Sequence, residues 1–483
     1  MPIQYLTADA VRAAEHATGD LLANGTLMRR AAAGVARVVL GELTGTGGCY
    51  GRAVGLVIGA GNNGGDALYA GAILARRGVR CSAVLLAPDT THSGGLAAFR
   101  GAGGRITGAL PDTVDLVIDA VVGIGGTGPL RPAAAAVFAG VTVPIVAVDL
   151  PSGIDADTGV VHDRSVRAAI TVTFGAYRNL HLLAAPRCGR IVLVDIGMAP
   201  TDTPDGLFSL TDAEVAARWP VPGPADDKYT QGVVGIVAGS QRYPGAAILA
   251  SGAAVSATSG MTRFVGSAAE AVVSHYPEVV AVDDLADAGK VQAWAVGPGM
   301  GTGDRALDIL RTVLAGDLPV LVDADGLTVI ARDPDLVRGR TAPTLLTPHA
   351  GEFARLSGAA VGADRPAAVR ALAADLGVTV LLKGRITLVA TPAGRVYGND
   401  AGSSWAATAG AGDVLTGIAG SLLAAGLEPE IAGACAARVH ALAALRASGG
   451  APIGASALLA AVRPVIGNLR TAHGGADGHI TTG

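Results

Sequence analysis

Several stretches of this chain bring together residue types that could hold an anion, coordinate a cation or move a proton. The apolar run Val54–Ile58 leads directly into Gly59-Ala-Gly-Asn-Asn-Gly-Gly-Asp66. A strand, a glycine-rich turn and a helix start together present free backbone N–H groups, which suit a phosphate or another anion. Asn62, Asn63 and Asp66 add hydrogen-bonding side chains that a plain turn does not need. Leu116-Val-Ile-Asp119 runs into Ala-Val-Val-Gly-Ile-Gly-Gly-Thr-Gly-Pro129, and Ile145-Val-Ala-Val-Asp149 into Leu-Pro-Ser-Gly153. Ligands of open parallel sheets lie beyond the carboxyl ends of the strands, so these three loops are expected to converge on one polar pocket. Side-chain oxygens there could hold a cation.

The second half carries a different constellation. Ala409-Gly-Ala-Gly-Asp-Val-Leu-Thr-Gly417 precedes an apolar helical stretch that reaches Leu427. In a Gly-x-Gly-Asp turn at a helix start, N–H groups can neutralise a transferring phosphoryl group while the carboxylate takes a proton from an attacking hydroxyl. Lys383-Gly-Arg-Ile-Thr387 follows the apolar run Val378–Leu382, and Thr347-Pro-His-Ala-Gly-Glu352 follows another. Gly297-Pro-Gly-Met-Gly301 and Asp323-Ala-Asp-Gly326 are further candidate loops at strand ends.

The elements that must position these loops follow from the pattern. Short apolar runs alternate with Ala/Leu-rich segments of helical length, as in α/β proteins with largely parallel sheets. The chain has 483 residues, which implies at least two domains. Trp219-Pro-Val-Pro-Gly-Pro-Ala-Asp-Asp227 can continue neither a helix nor a central strand. The expected division is therefore a domain at 1–218, a linker at 219–227 and a domain at 228–483.

With 36 basic and 40 acidic residues the net charge is −4, which argues against a nucleic-acid binder working through a general basic field. The four cysteines are scattered without metal-ligand spacing and read as buried thiols of a reducing compartment. No apolar leader opens the chain, and Tyr243–Thr262, its longest uncharged stretch, is broken by Pro, Gly, Ser and Thr. A cytoplasmic protein without a membrane span is expected, as is a homo-oligomer.

At these residues the chain resembles a known family. Asn62-Asn63-Gly64-Gly65-Asp66, Asp119 with its glycine-rich loop, and Val148-Asp149-Leu150-Pro151-Ser152-Gly153 resemble the NAD(P)H-hydrate epimerase domain. The resemblance implies a Rossmann-like three-layer domain acting on the hydrated nicotinamide ring at carbon 6. It also implies hydrate contacts from Asn62, Asn63, Gly64, Gly65 and Asp66, from Gly123, Ile124, Gly125, Gly126, Thr127, Gly128 and Pro129, and from Asp149 as the acid/base group. K+ would be held by Asn63, Asp119 and Ser152.

The second half is similar to the ADP-dependent NAD(P)H-hydrate dehydratase domain, a ribokinase-like α/β fold. Its matching pieces are Lys228-Tyr229, Gly239-Ser240, Gly297-Pro298-Gly299, Asp323-Ala-Asp-Gly326, Thr347-Pro348-His349, Lys383-Gly384 and Gly410–Gly417. The resemblance implies hydrate contacts from Ala246, Ala247, Gly301, His349 and Asp413. Adenine-nucleotide contacts would come from Lys383, Gly384, Arg385, Ile386, Thr387 and Gly412. Asp413 would be the base, ADP the co-substrate, and Mg2+ the metal. The joint expectation is a bifunctional repair enzyme that interconverts R and S hydrates and dehydrates the S form, giving NAD(P)H, AMP and phosphate. The alternative is a small-molecule kinase of the ribokinase-like class carrying an inert N-terminal nucleotide-binding module.

Overall fold

The structure is a computed structural model that describes residues 1–199, 203, 206–258 and 260–473. It divides into two compact units, one spanning Gln4–Gly206 and the other running from Leu207 onward together with Met1–Ile3.

The first unit is built on seven described strands: β1 (Ala53–Ile58), β2 (Arg80–Leu85), β3 (Arg105–Ile106), β4 (Leu116–Ala120), β5 (Ile145–Val148), β6 (Ile170–Phe174) and β7 (Arg190–Val194). They pair in parallel in the order β3-β2-β1-β4-β5-β6-β7. Every residue of β1, β4 and β6 is buried, which explains why these strands are continuous apolar runs rather than alternating ones. The helices Thr26–Gly45 and Gly61–Arg76 press Val35, Val39, Leu68 and Leu74 into the same core as Leu56 and Ile118 of the sheet. Strand order reverses between β1 and β4. The crevice beyond their carboxyl ends is thus the topological switch point, and the loops after β1, β4 and β5 all open there.

The second unit contains β8 (Leu207–Ser209), β9 (Val233–Val237), β10 (Met261–Val265), β11 (Val280–Val282), β12 (Ala293–Val296), β13 (Val320–Val322), β14 (Thr344–Leu346), β15 (Thr379–Leu382), β16 (Ile386–Ala390) and β17 (Val396–Asp400). Within this unit they lie in the order β11-β10-β9-β12-β13-β14-β15-β16-β17-β8. Pairing is parallel from β11 to β15 and antiparallel through the β15-β16-β17 meander. The helices Pro244–Ala257 and Ala411–Ala424 pack closely because their facing residues are small. A side chain at Gly417 would overlap the Ala250 carbonyl.

The units separate earlier than the expected boundary at 219. Leu207 and Phe208 pair with Val396 and Tyr397, and the helix Asp212–Arg218 packs against the helix Ala455–His473. Trp219, expected in the linker, is 5% exposed in the second unit's core and donates its indole N–H to the Ala257 carbonyl at 2.9 Å. The prolines stop the helix there, but the apolar residues before them belong to the second domain. Among the described residues no helix is long and apolar enough to cross a membrane.

Candidate functional sites

In the first unit a cavity of about 1050 Å³ opens at the switch point. Its walls include Asn62, Asn63, Asp66, all of Gly123–Pro129, and Asp149, so three segments far apart in sequence do converge. The helix begins at Gly61, so the two asparagines stand in its first turn rather than in a loop. Gly64 and Gly65, expected among the hydrate contacts, are buried and do not line the cavity. A Cβ would meet the Gly59 carbonyl oxygen at 2.7 Å in one case and the His92 ring at 2.8 Å in the other. They let the helix sit close to its neighbours, and the flanking Asn62, Asn63 and Asp66 are the residues of this segment that line the cavity.

Asp149 follows β5 in a tight turn, with φ at 67° and the Leu150 N–H donating to the Val148 carbonyl at 2.9 Å. A non-glycine residue held there is strained, a feature that clusters at functional sites. Its carboxylate lies 3.0 Å from the Arg178 guanidinium and accepts the Thr173 hydroxyl at 3.1 Å. Arg178 is almost wholly buried and donates also to the Ala176 carbonyl. His181 accepts the Arg178 backbone N–H on Nδ1, so its Nε2–H donates to the Asp149 carbonyl at 2.9 Å. Burial pushes the His181 pKa down to about 4, keeping the ring neutral. Arg178 and His181 were not among the expected site residues. Their signal was positional: they follow β6, the strand beside β5.

Below the cavity, Asn63, Val122, Ser152 and Asp119 are chained by hydrogen bonds. Asn63 Nδ2 donates to the Val122 carbonyl at 2.8 Å, and Val122 N–H donates to Ser152 Oγ at 3.3 Å. Ser152 Oγ and N–H donate to the two Asp119 carboxyl oxygens at 2.7 and 2.8 Å. Asp119 is fully buried, and among the described residues no cationic side chain pairs with it. Burial raises its pKa to about 6, against the opposing pull of the Ser152 and Val121 hydrogen bonds.

In the second unit the candidate residues gather around the start of the helix Ala411–Ala424. Asp413 lies in its first turn. Burial, then the charge of Asp323, lifts its pKa to about 6, while Lys383 acts the other way. Lys383 Nζ donates to Asp323 Oδ1 at 2.6 Å and lies 3.5 Å from Glu352. Burial disfavours its charge, but the two carboxylates outweigh that effect and raise its pKa. Thr416 donates to the other Asp323 oxygen at 2.8 Å. A Cβ on Gly412 would come within 3.6 Å of Lys383 Nζ, so the glycine turn and the lysine share one surface. Asp323 and Thr416 were named only within candidate loops, without a role of their own. His440 was not singled out in the sequence; its Nε2–H donates to the Ala411 carbonyl at 2.8 Å behind the turn. Burial holds its pKa down to about 4, so it is a neutral support.

His349 is half-exposed and caps the helix Ala350–Ser357, accepting from Gly351 and Glu352 N–H on Nδ1. Gly301 is exposed, its N–H held by Asp325 at 2.9 Å. Three of the expected contact residues are buried. Ala247 is fully buried under Gly239, so only Ala246 of that pair is accessible. Ile386 and Thr387 are buried in β16, and the Thr387 hydroxyl donates to the Gly384 carbonyl. Lys383, Gly384 and Arg385 are the part of that segment a ligand can reach. A further cavity of about 530 Å³ opens beside Gly239, Ser240 and Met300, and Asp413 and Lys383 do not line it.

Comparison with known proteins agrees with both halves. Residues 234–461 match the family described as NAD(P)H-hydrate dehydratase, and residues 24–180 match the YjeF-related protein N-terminus. The bifunctional NAD(P)H-hydrate repair enzyme Nnr of Mycobacterium tuberculosis is 58% identical over 88% of this chain and 89% of its own. That of Mycobacterium leprae is 55% identical over 96% of this chain and 99% of its own. A ribokinase-like superfamily protein from Enterococcus faecalis superposes with a TM-score of 0.50 at 24% identity, covering 54% of this chain and 95% of that one, a likeness of fold. The chain, with an epimerase unit and a dehydratase unit in one polypeptide, belongs to the family of bifunctional NAD(P)H-hydrate repair enzymes.

Proposed function

We propose that the first cavity epimerises the R and S hydrates and that the Asp413 surface dehydrates the S hydrate using ADP. The observation that carries this reading is the pairing of an ion-paired carboxylate, Asp149, inside a ligand-sized cavity with a separate Gly-x-Gly-Asp helix start in the second unit. In dehydration the ring hydroxyl is a poor leaving group as water and a far better one as phosphate. Asp413 takes the hydroxyl proton while that oxygen attacks the terminal phosphoryl group of ADP. The N–H groups around Gly412 face the developing charge, and His440 fixes the turn that presents them. AMP leaves in that transfer; the C6–O bond then breaks to release phosphate and C5 gives up a proton, which re-forms the C5=C6 double bond of NAD(P)H. Lys383, tied to Asp323 and Glu352, sets the field beside the base.

Mg2+ fits as an ion that enters with the nucleotide and is held largely by its phosphates, since among the described residues no three His, Cys, Asp or Glu side chains converge to hold a metal. It would neutralise phosphate charge during transfer. K+ fits the first unit: Asn63, Ser152 and Asp119 offer amide, hydroxyl and carboxylate oxygens, and buried Asp119 lacks a countercharge. It would supply that charge under the cavity floor.

The test is incubation of mixed hydrates with ADP, following reduced-nicotinamide absorbance, AMP and free phosphate. One AMP and one phosphate per NAD(P)H formed supports the reading; a stable phosphorylated product contradicts it. Replacing K+ by a bulky organic cation is expected to slow use of the R hydrate while S-hydrate repair continues. Equal loss of both would remove K+ from the epimerase site.

A further inference from the structure

We propose that Asp66 is the acid of the epimerase reaction, delivering a proton to the ring nitrogen of the hydrate while Asp149 acts as the base; this rests on the epimerase reading of the cavity. Both carboxyl groups line the same cavity, but their surroundings differ. Asp149 is ion-paired with the Arg178 guanidinium at 3.0 Å and accepts the Thr173 hydroxyl at 3.1 Å. Asp66 is 9% exposed, and among the described residues its buried Oδ1 has no hydrogen-bond partner. An ionised carboxylate with a buried, unpartnered oxygen is costly, whereas a protonated carboxyl is tolerated. Burial first, then the charges of Asp149 and Glu15, raise the Asp66 pKa well above the ordinary carboxylate range. Two carboxyl groups whose environments drive their protonation apart make an acid/base pair.

The substrate needs such a pair. Carbon 6 of the hydrate carries a hydroxyl and is bonded to the ring nitrogen, so it is a cyclic hemiaminal. Asp149 takes the hydroxyl proton and the C6–O bond becomes a carbonyl. The C6–N1 bond breaks, its electron pair stays on N1, and N1 takes the proton of Asp66. Rotation about the C5–C6 bond of the opened aldehyde exposes its other face. N1 then attacks C6 and returns its proton to Asp66, while the new hydroxyl recovers the proton from Asp149. Each carboxyl group ends as it began, with no oxidant or further reactant consumed.

The test measures R-to-S conversion, with spontaneous epimerisation subtracted, in the full-length wild type, Asp66→Asn and Asp66→Glu, together with ADP-dependent repair of pure S hydrate and thermal midpoints. The expected result is a loss of at least about 100-fold in kcat for Asp66→Asn, in the range of general acid catalysis. Asp66→Glu should recover part of the rate, and the thermal midpoint of Asp66→Asn should be at or above that of wild type. Repair of S hydrate should be unchanged. The wild-type rate is expected to fall on the alkaline side as Asp66 ionises, and Asp66→Asn should lack that limb. Glu15, Arg29, Tyr69, His92, Arg131, Asp149 and Arg178 also line the cavity. They remain in the variant, so a limb that persists belongs to one of them and overturns the assignment. An Asp66→Asn protein within threefold of the wild-type rate overturns it too. So does one that loses its fold, since the carboxyl would then be structural. A wild type with no epimerase activity would instead overturn the reading on which the inference rests.

Discussion

At Asp413 and Asp149 the same side chain is put to work by different surroundings. Burial and Asp323 lift Asp413 to about 6, and a base acts only when ionised. Dehydration is therefore expected to be full above neutral pH and to fall as pH drops through about 6. A pH–rate profile on S hydrate checks this, and a profile flat down to pH 5 would contradict it. Because the folded-state pKa lies above the ordinary 3.8, the folded protein binds more protons than the unfolded chain between those values, and stability falls as pH rises through them. Asp413→Asn is thus expected to abolish dehydration while leaving the thermal midpoint at pH 8 equal or higher. Asp149 is instead ion-paired to a buried arginine. Asp149→Asn strands a buried guanidinium, a change costing about 3–5 kcal/mol in comparable buried pairs. The double variant Asp149→Asn/Arg178→Met should recover much of that stability without recovering R-hydrate use. Calorimetry together with the epimerase assay separates the two effects.

Among the elements, the central strands were legible because residues buried on both faces are written as unbroken apolar runs: Val54–Ile58 and Leu116–Asp119 lie within β1 and β4, and Val378–Leu382 covers β15. Met261–Val265 and Val280–Val282 lie toward the edge of their sheet, carry a charged or exposed residue, and lack that signature. Loop contents were legible for a similar reason, since strand-end Gly and Asp are hard to explain otherwise. Partners supplied across the sheet were not: Arg178 reaches Asp149, and His440 reaches Ala411, only through packing that no local pattern records. The close contact of the helices Pro244–Ala257 and Ala411–Ala424 gives a test at this scale. Gly417→Ala would drive a methyl into the Ala250 carbonyl and is expected to lower stability by about 1–3 kcal/mol, read as a lower urea midpoint. Since the same helix carries Asp413 at its start, S-hydrate repair should fall as well, while epimerisation holds.

The whole molecule places two chemistries on one chain, and its division point is part of the account. Because Trp219 and the helix Asp212–Arg218 are packed into the second unit, a fragment beginning at 207 should be more stable than one beginning at 220. Thermal midpoints of the two fragments decide this. Two separate sites, rather than one site with a passive neighbour, form the central claim, and one measurement addresses it directly. A mixture of R and S hydrates is incubated with excess ADP, and the final reduced-nicotinamide absorbance is read for wild type, Asp149→Asn/Arg178→Met and Asp413→Asn over a time short against spontaneous epimerisation. Wild type should convert the whole pool, the Asp149/Arg178 variant should stop once the S hydrate is spent, and Asp413→Asn should recover no NAD(P)H. A wild type that stops at the S fraction, or an Asp149/Arg178 variant that consumes the R hydrate as fast as wild type, would contradict the account.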